Sequence, residues 1–465
     1  MLVSETLPAP RSRRRKERAA KRKRVYTAAE RGRCELRHRT VPEGLGEPYL
    51  IEPQEAWARL VSHVAPLAPE RVERRVAVGR VLTEPLTATV DVPAHDVSAM
   101  DGYALDGAVE AGERRVVAGT VAAGDPPGFE LPAGQAARIM TGAPVPRGAD
   151  RVVPVEQTDG GEERALFRSG VAAGAHIRRG GEILRVGREI LSPGALLTPG
   201  ALGLVATHGY VEVPVLRSPR VATLATGDEI VPPEIDPRPG QLRDSHTDFL
   251  LGAGRGLGLE FESLGIVPDR PHELEEKIRR GLEADVLLMT GGVSKGEYDF
   301  VKQILDRLGC RQLFDAVAIQ PGKPFVVARH PRGLVFGLPG NPASVMVCFW
   351  LFVRPALRSL MGLADGYWHG ALAGELVAPL PGAKGRARFL SADVAFRDGR
   401  ILVRPFPPVG SHDLVAYGRG TALVRVPAHA EPAQPGETCE ILPLVDWPTA
   451  TSSPGATLSR SLPAP

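Results

Sequence analysis

Three short loops in the second half of the chain combine glycine, proline and lysine in patterns that can bind an anion. Their sequences are GGVSKGEYDF (291–300), QPGKPF (320–325) and LPGNPAS (338–344). Gly291 and Gly292 have no Cβ, so their backbone amides can approach a charged ligand closely. Lys323 stands between two prolines, which hold its charge on a stiff backbone. Each loop alone could be an ordinary turn, but the three together favour a phosphate or oxyanion site.

The loop at 338–344 is also expected to begin a helix. Asn341 is a candidate N-cap, and Pro342 suits the first helical position. The backbone amides of Ala343 and Ser344 would then point at the ligand, because the N-terminus of a helix attracts anions.

Acidic residues crowd the same region of the sequence. They are Asp228, Glu229, Asp244, Asp285, Glu297 and Asp299. Carboxylates beside phosphates indicate Mg²⁺, a hard cation that takes oxygen ligands. We therefore expect Asp228, Glu229 and Asp244 to contact a metal ion or the substrate. Asp285 is expected to be a cap or a surface charge, and His246 a solvated loop histidine.

Strands are expected to alternate with helices from about residue 219. Buried strands are predicted at 221–226, 261–267, 285–290 and 334–338, helices near 245–257, 271–283 and 297–308, and a long apolar helix after Pro342. This alternation predicts a doubly wound, mostly parallel sheet whose ligand loops lie at the carboxyl ends of the strands. The run LLGAGRGLG (250–258) lacks the third glycine of a dinucleotide-binding fingerprint, so we expect a helix terminus there.

The remaining segments are rich in turns, as 52 glycines and 44 prolines suggest. A helix is expected at 53–64, and extended chain at 76–92 and 177–218. We predict six segments: a basic disordered extension (1–45), a linking subdomain (46–95 and 177–218), a β-rich subdomain (96–176), an α/β subdomain (219–366), a small C-terminal β-barrel-like subdomain (367–447) and a disordered tail (448–465).

Several classes of protein are disfavoured. No GxxxxGK[ST] loop occurs, which argues against a P-loop ATPase. The four cysteines are scattered without a metal-binding spacing, so structural zinc and a disulfide scaffold are not expected, and a reducing cytoplasm fits. The longest apolar run, 345–353, is too short to span a bilayer, so no transmembrane segment is predicted.

A basic arm begins the sequence. Residues 1–24 hold ten Lys and Arg residues against Glu5 and Glu17, a net charge of +8. Such an arm can contact nucleic acid, but a solvated tail is the commoner case, so a nucleic-acid partner is not expected. No apolar stretch of a secretory signal follows these charges.

Two polar segments of the predicted β-rich subdomain complete a wider pattern. With the loops above, they resemble the molybdopterin molybdotransferase family, which includes the E domain of gephyrin. The matching stretches are SAMDGYA (98–104), RIMTGAPVP (138–146), GAD and VVPVEQT within 148–158, IRRGGE (177–182), TGDEIV (226–231), RDSH (243–246), TGGVSKGEYDFVK (290–302), QPGKPF (320–325) and GLPGNPAS (337–344). The resemblance covers about residues 46–445 in the family's order.

This resemblance implies four subdomains in an elongated homodimer, with the active site between the α/β subdomain of one chain and the β-rich subdomain of the other. The implied enzyme is a cytoplasmic transferase that inserts molybdate into adenylated molybdopterin. Release of AMP would depend on Mg²⁺, and the product would be the molybdenum cofactor. A molybdopterin adenylyltransferase would be the upstream donor.

The resemblance also implies roles for individual residues. The catalytic set is Asp101, Asp228, Glu229, Asp244, Lys302 and Lys323, and the substrate-binding set is Thr141, Gly291, Gly292, Ser294, Asp299, Gly340, Asn341, Ser344, Arg386 and Ser411. Asp101 and Thr141 would approach from the partner chain. Asp228, Glu229 and Asp244 would serve the metal and phosphate region, and Lys302, Lys323 and the amides of PGNPAS would hold the pterin phosphate. Arg386 and Ser411 would meet the molybdate oxyanion.

The chain also departs from the family's pattern. Ile183 replaces a carboxylate, His246 ends a motif that more often ends in Asn, and Lys295 replaces an apolar residue. A second basic residue expected after Phe389 is missing. These departures affect specificity, including molybdate against tungstate, more than the reaction class. Two alternatives stay open, a molybdopterin adenylyltransferase and a non-catalytic, gephyrin-like dimeric scaffold.

Overall fold

The computed structural model describes residues 50–292 and 298–445, and for residues 298–300 it describes the backbone alone. The first elements are α1 (Pro53–Val61), β1 (Pro69–Glu73), β2 (Leu86–Thr87) and β3 (Val97–Ser98). The expected helix at 53–64 is confirmed but ends three residues earlier, with Ala56 and Leu60 buried on its apolar face. The extended segment expected at 76–92 forms only the two-residue strand β2.

A five-stranded sheet follows, in the order β7-β4-β6-β5-β8. Its strands are β4 (Gly102–Leu105), β5 (Arg114–Val121), β6 (Ala136–Ile139), β7 (Arg151–Pro154) and β8 (Arg164–Leu166). Tyr103 and Phe167 pack edge to face in its core, with ring centroids 5.9 Å apart. The predicted β-rich character of this region is confirmed.

The chain then pairs back onto its first strands. The elements here are β9 (Ile177–Arg178), β10 (Glu189–Leu191), α2 (Pro199–Thr207) and β11 (Glu212–Leu216). Strand β9 pairs with β3, β10 with β2 and β11 with β1. The expectation of extended chain throughout 177–218 is wrong at α2, which Thr198 caps by accepting a hydrogen bond from the Ala201 amide at 3.2 Å. This helix is apolar nearly all round, so it lacks the contrast between an apolar and a polar face that reveals a helix in a sequence.

The α/β region forms a six-stranded sheet in the order β15-β12-β16-β20-β19-β17. Its elements are β12 (Val221–Thr226), β13 (Ile230–Val231), β14 (Leu242–Arg243), α3 (His246–Gly256), β15 (Phe261–Val267), α4 (Pro271–Gly281), β16 (Val286–Thr290), α5 (Tyr298–Arg307), β17 (Arg311–Ala316), β18 (Ile319–Gln320), β19 (Pro324–His330), β20 (Gly333–Leu338) and α6 (Pro342–Leu360). The first four strands in the sheet are parallel, which confirms the predicted doubly wound, mostly parallel sheet. Helix α3 ends at Gly256, so the run at 250–258 is a helix terminus as expected.

Two further strands, joined to the sheet by antiparallel pairings, complete it and were not predicted. Strand β19 is antiparallel to β20, with Val326 opposite Gly337, and β17 is antiparallel to β19. Because β19 runs in the opposite direction, its amino end lies at the same edge as the carboxyl end of β20. The loop before β19 therefore joins the loops that follow β12, β16 and β20.

Helix α6 is long and apolar enough to cross a membrane, but 72% of its apolar window is buried inside the protein. It contains a π-helical segment, Phe349–Val353, and forms the centre of the largest apolar core. Its composition and length are explained by this core position.

The residue Asp285 is buried rather than a surface charge. Its carboxylate accepts two hydrogen bonds from Arg217, at 2.6 and 2.7 Å, and one from the Arg220 amide at 2.8 Å. Burial alone raises the pKa of this carboxyl, but the hydrogen bonds and the charges of both arginines hold the pKa below its usual value. Asp285 was expected to be a cap or a surface charge; instead it forms a buried ion pair with Arg217 that secures the start of β16.

The C-terminal region closes into a five-stranded barrel, which confirms the expected barrel-like fold. Its elements are β21 (Leu372–Leu376), β22 (Ala387–Arg397), β23 (Arg400–Pro405), α7 (Leu414–Arg419), β24 (Ala422–Val426) and β25 (Thr438–Pro443). The pairings run β22-β23-β21-β25-β24 and return from β24 to β22. Strand β18 adds to β22 in parallel, with Gln320 opposite Arg388. This pairing connects the barrel to the loop edge of the α/β sheet.

Candidate functional site

Two cavities lie at the loop edge of the α/β sheet, and Asn341 lines both. The first, which we call the cationic cavity, has a volume of about 400 Å³. Its polar lining residues are Gln320, Lys323, Asn341, Ser344, Arg386, Arg388, Ser411 and Tyr417. The second, which we call the carboxylate cavity, has a volume of about 350 Å³. Its lining includes Glu229, Asp244, His246, Gly291, Gly340 and Asn341.

Among the described residues, the cationic cavity is lined by two arginines and one lysine, and by no aspartate or glutamate. Arg386 donates from Nη1 to the carbonyl of Ile319 at 3.3 Å, and Arg388 donates from Nη1 to the carbonyl of Gly382 at 2.9 Å. Neutral carbonyls orient these groups without balancing their charge. Cations placed together without counterions attract a multiply charged anion, so the cavity suits a dianionic oxyanion.

The loop that carries Lys323 is shaped by its neighbours. Gly322 has a φ of +108°, a conformation that favours glycine. A Cβ at this position would lie 2.8 Å from Sγ of the buried Cys348 and 2.9 Å from Cδ1 of Ile319. This loop follows β18 and opens β19 rather than a helix. Lys323 still reaches the predicted edge.

The segment Gly340–Ser344 separates the two cavities. The side chain of Asn341 does not cap α6; its Nδ2 donates to Oγ of Ser411 at 2.8 Å. The Ala343 amide donates to the Ser411 carbonyl at 3.3 Å, and the Ser344 amide donates to the Asn341 carbonyl at 3.0 Å. The expectation that these two amides are free for an anion is therefore wrong, because backbone carbonyls occupy them. Side chains, rather than the helix N-terminus, provide the polar lining here.

Asp244 is buried where α3 begins. Its carboxylate accepts hydrogen bonds from the amides of His246 and Thr247, at 3.0 and 3.1 Å, and from Oγ1 of Thr247 at 2.6 Å. His246 is the first residue of α3 rather than a solvated loop residue, and its burial lowers the pKa of the imidazole. Both residues line the carboxylate cavity, and the hydrogen bonds hold Asp244 in a fixed orientation.

The three predicted metal ligands do not share one place. Glu229 lines the carboxylate cavity with Asp244, whereas Asp228 is exposed, does not line it, and accepts a hydrogen bond from the Asp269 amide at 3.3 Å. In the described ranges, no three His, Cys, Asp or Glu residues are grouped as metal ligands. Two carboxylates still fit Mg²⁺, which commonly takes one or two from the protein and the rest of its ligands from phosphate and water.

The Gly-Gly turn after β16 requires glycine. Gly291 has a φ of +85°, and a Cβ there would collide with the carbonyl oxygen of Thr226. Gly292 has a φ of +63°. The predicted binding residue Ser294 and the side chain of Asp299 lie outside the described residues. Lys302 is exposed on α5 and does not line either cavity.

Asp101 and Thr141 form a pair on the β-rich sheet. Oδ1 of Asp101 accepts hydrogen bonds from the Thr141 amide at 2.6 Å and from Thr141 Oγ1 at 2.8 Å. These two bonds lower the pKa of the Asp101 carboxyl, because they stabilise its ionised form. Both residues are exposed, and neither lines the two cavities of its own chain.

Most of the predicted site residues therefore meet at one edge, but Arg388 was missed. Lys323, Asn341, Ser344, Arg386 and Ser411 share the cationic cavity. Glu229, Asp244, Gly291 and Gly340 share the other one. The signal for Arg388 is its spacing of two from Arg386, because alternate residues of a strand lie on the same face.

Three family models match successive parts of the chain. The MoeA N-terminal region (domain I and II) matches residues 51–209, the probable molybdopterin binding domain matches 222–359, and the MoeA C-terminal region (domain IV) matches 373–444. Together they span the five-stranded sheet, the α/β sheet and the barrel. The fold and the charged loop edge define a protein of the MoeA type.

Named relatives and solved structures agree with this class. Molybdopterin molybdenumtransferase from Nostoc sp. is 39% identical over 64% of this chain and 71% of its own length. Molybdopterin molybdenumtransferase 2 from Mycobacterium tuberculosis is 36% identical over 77% of this chain and 91% of its own. A crystal structure of the Pyrococcus horikoshii MoeA protein has a TM-score of 0.71 and 28% identity, and covers 86% of this chain and 100% of that one. The chain belongs to the MoeA family of molybdopterin molybdenumtransferases.

The packing around Gly322 predicts that Gly322→Ala displaces Lys323. We expect a loss of about 1–3 kcal/mol in stability, because an L-residue is strained at this φ and its Cβ meets Cys348. We also expect at least ~10-fold weaker binding of molybdate, used as a tetrahedral dianion, because a charge-assisted contact is lost. Thermal unfolding and titration calorimetry measure these two effects.

Gly252→Ala is the matched control. Gly252 lies in α3 with nothing within 4 Å of an added Cβ, so the change should leave binding unaltered and stability equal or higher. A Gly322→Ala protein with wild-type molybdate affinity would show that the packing of this loop does not position Lys323.

Proposed function

We propose that this protein is a molybdopterin molybdenumtransferase that inserts molybdate into adenylated molybdopterin and releases AMP. The observation that supports this most directly is the pair of adjoining cavities, one cationic and one holding two carboxylates, on either side of Asn341. A substrate with a phosphate bridge at one end and an oxyanion acceptor at the other needs both environments. The names of the relatives support the same reaction.

The cationic cavity is the proposed molybdate end. Lys323 and Arg386 neutralise the two charges of the oxyanion, and Ser411 and Asn341 offer polar contacts beside them. Guanidinium and ammonium groups bind tetrahedral oxyanions through charge-assisted hydrogen bonds. These residues would hold molybdate next to the dithiolene sulfurs of the pterin.

The carboxylate cavity is the proposed phosphate end. Glu229 and Asp244 would hold a Mg²⁺ ion, which supplies positive charge to the pyrophosphate when bound. Gly291, Gly292 and Gly340 leave room for the phosphates to approach the backbone. Asp228, Lys302, Ser294 and Asp299 are proposed as further contacts of this phosphate region, on the strength of the resemblance alone.

The chemical step needs charge stabilisation more than a strong nucleophile. Hydrolysis of the phosphate bridge adds water across the bond between the pterin phosphate and AMP, and negative charge develops on the leaving phosphate. The buried hydrogen bonds of Asp244 keep its carboxylate oriented during this step. The ammonium group of Lys323 lies in the cationic cavity. There it would hold molybdate while AMP is released at the other cavity.

We propose that two chains form a homodimer with shared sites. Asp101 and Thr141 are exposed and outside both cavities of their own chain, which supports the idea that they complete the site of a partner chain. A molybdopterin adenylyltransferase is the proposed donor of the substrate. A cytoplasmic location fits Cys310, Cys348 and Cys439, which are buried free thiols.

The first assay follows AMP release from adenylated molybdopterin with molybdate and Mg²⁺. We expect turnover by the wild type, and rates lower by on the order of 10²–10³ in Lys323→Ala and Asp244→Ala, by analogy with the loss of a charge-stabilising donor. Chelation of Mg²⁺ should stop the reaction, and its return should restore it. Lys277→Ala is the control, because Lys277 lies on α4, donates to the Leu264 carbonyl at 3.1 Å and is not among the residues that line either cavity.

Other outcomes identify the alternatives. Formation of adenylated molybdopterin from ATP would indicate an adenylyltransferase, and peptide binding without turnover would indicate a scaffold. Full activity in both Lys323→Ala and Asp244→Ala would refute the proposed site.

Shared sites predict complementation between two inactive variants. In a heterodimer of Asp101→Ala and Lys323→Ala chains, one site takes Lys323 from the first chain and Asp101 from the second, so it is complete. The other site lacks both residues. Tandem-tag purification of co-expressed chains should therefore give about half of the wild-type activity per dimer. If the heterodimer is as inactive as either homodimer, the two residues do not meet across the interface.

A further inference from the structure

We propose that Arg388 is a second guanidinium for the oxyanion bound in the cationic cavity, and that it sets the affinity of that cavity for the anion. This inference rests on the proposed function, because it adds a specificity residue to the molybdate end of the same site. Arg388 is not among the residues that the family's motifs pointed to in this sequence.

Arg388 lies at the end of an inward-facing row of the barrel. Side chains alternate between two faces along β22. Leu390, Ala392 and Val394, which share the face of Arg388, are part of the buried apolar core of the barrel. Arg388 and Leu390 both line the cationic cavity. The row therefore passes from the apolar core into the cavity, and its last member is a charged side chain.

The guanidinium of Arg388 is anchored at one nitrogen and unpaired at another. Nη1 donates to the Gly382 carbonyl at 2.9 Å, whereas Nε is buried and has no hydrogen-bond partner. No carboxylate lines the cavity, and Arg388 has no ion-pair partner in the part of the chain that the structure describes. A buried donor without a partner and a charge without a counterion each raise the free energy of the empty cavity. A bound anion removes both costs.

A buried Nε without a partner is shared by two other arginines of the barrel. Arg404 and Arg425 also have a buried Nε without a partner, but neither lines the cationic cavity. Arg425 is further paired with Glu440 at 3.2 Å. Arg388 differs because the unpaired donor, the missing counterion and the cavity lining occur in one residue.

The backbone brings the other two cations to the same place. Gln320 of β18 is opposite Arg388 of β22, so Lys323 follows three residues beyond that pairing. Arg386 lies two residues before Arg388 at the start of the strand. A tetrahedral dianion has four oxygens, and a guanidinium can bind two of them with its planar fork. Two guanidiniums and one ammonium can therefore surround such an anion from paired segments of backbone.

The test compares Arg388→Gln, Arg388→Lys and Arg404→Gln by titration calorimetry with sodium molybdate. Arg388→Gln should weaken binding by about 10- to 100-fold, as expected for the loss of charge-assisted hydrogen bonds. Arg388→Lys keeps the charge but lacks the planar guanidinium fork, so its affinity for molybdate should lie between those of the wild type and Arg388→Gln. Arg404→Gln removes a half-buried barrel arginine outside the cavity and should bind molybdate within about twofold of the wild type.

Turnover gives a readout that a purely structural role would not move. In Arg388→Gln, the KM for molybdate should rise by the same factor as the Kd, while kcat at saturating molybdate stays within about threefold of the wild type. A titration with AMP, whose phosphate belongs to the proposed phosphate end, tests whether Arg388 acts at the other cavity, and the affinity for AMP should change by less than about threefold.

Three results would overturn the role of Arg388 and leave the proposed function standing. These are wild-type molybdate affinity in Arg388→Gln, an equal loss in Arg404→Gln, and a loss of AMP binding with molybdate binding retained. If the wild type neither binds molybdate nor releases AMP from adenylated molybdopterin, the proposed function itself fails.

Discussion

The site depends on one backbone pairing, the parallel addition of β18 to β22. Gln320 lies opposite Arg388 in this pairing, which ties the last segment before β19 to the mouth of the barrel. Without it, Lys323 would belong to the α/β sheet alone, and Arg386 and Arg388 to the barrel alone. The antiparallel direction of β19 then places Lys323 at the carboxyl edge of the parallel strands, beside Asn341.

The arrangement favours ligand binding over stability. In the described part of the chain, three cations and no carboxylate line the cavity, and at least one buried guanidinium nitrogen there has no partner. Elsewhere in the chain a buried charge is fully paired, as in the contact between Asp285 and Arg217. Unpaired charge that lines a cavity is expected where an anionic ligand supplies the missing partner.

The sequence predicted the parallel part of the fold well, because its signals are local. Strands β12, β15, β16 and β20 are apolar runs that end at turn residues, and α3 to α5 have clear helical periodicity. Strand β19 was missed because its register depends on pairing with β20, and β17 because its register depends on pairing with β19. Helix α2 was missed because it is apolar nearly all round. The closed barrel was expected only in outline.

The site was predictable by residue type but not by arrangement. Lys323, Asn341 and Asp244 could be chosen from loop chemistry alone, whereas the contact between Asn341 and Ser411 spans 70 positions. The free amides expected at Ala343 and Ser344 are occupied by carbonyls, a competition that no spacing rule reveals. The spacing of Arg388 from Arg386 became informative only once the inner face of β22 was known. Asp228 was grouped with Glu229, although only Glu229 lines the carboxylate cavity.

The central claim is that the cationic cavity holds the metal oxyanion. Anomalous diffraction at the molybdenum absorption edge, from crystals soaked in molybdate, tests this most directly. We expect one dominant anomalous-difference peak within hydrogen-bonding distance of the side chains of Lys323 and Arg386. A dominant peak between Glu229 and Asp244, or beside Asp101, with none near Lys323, would contradict it.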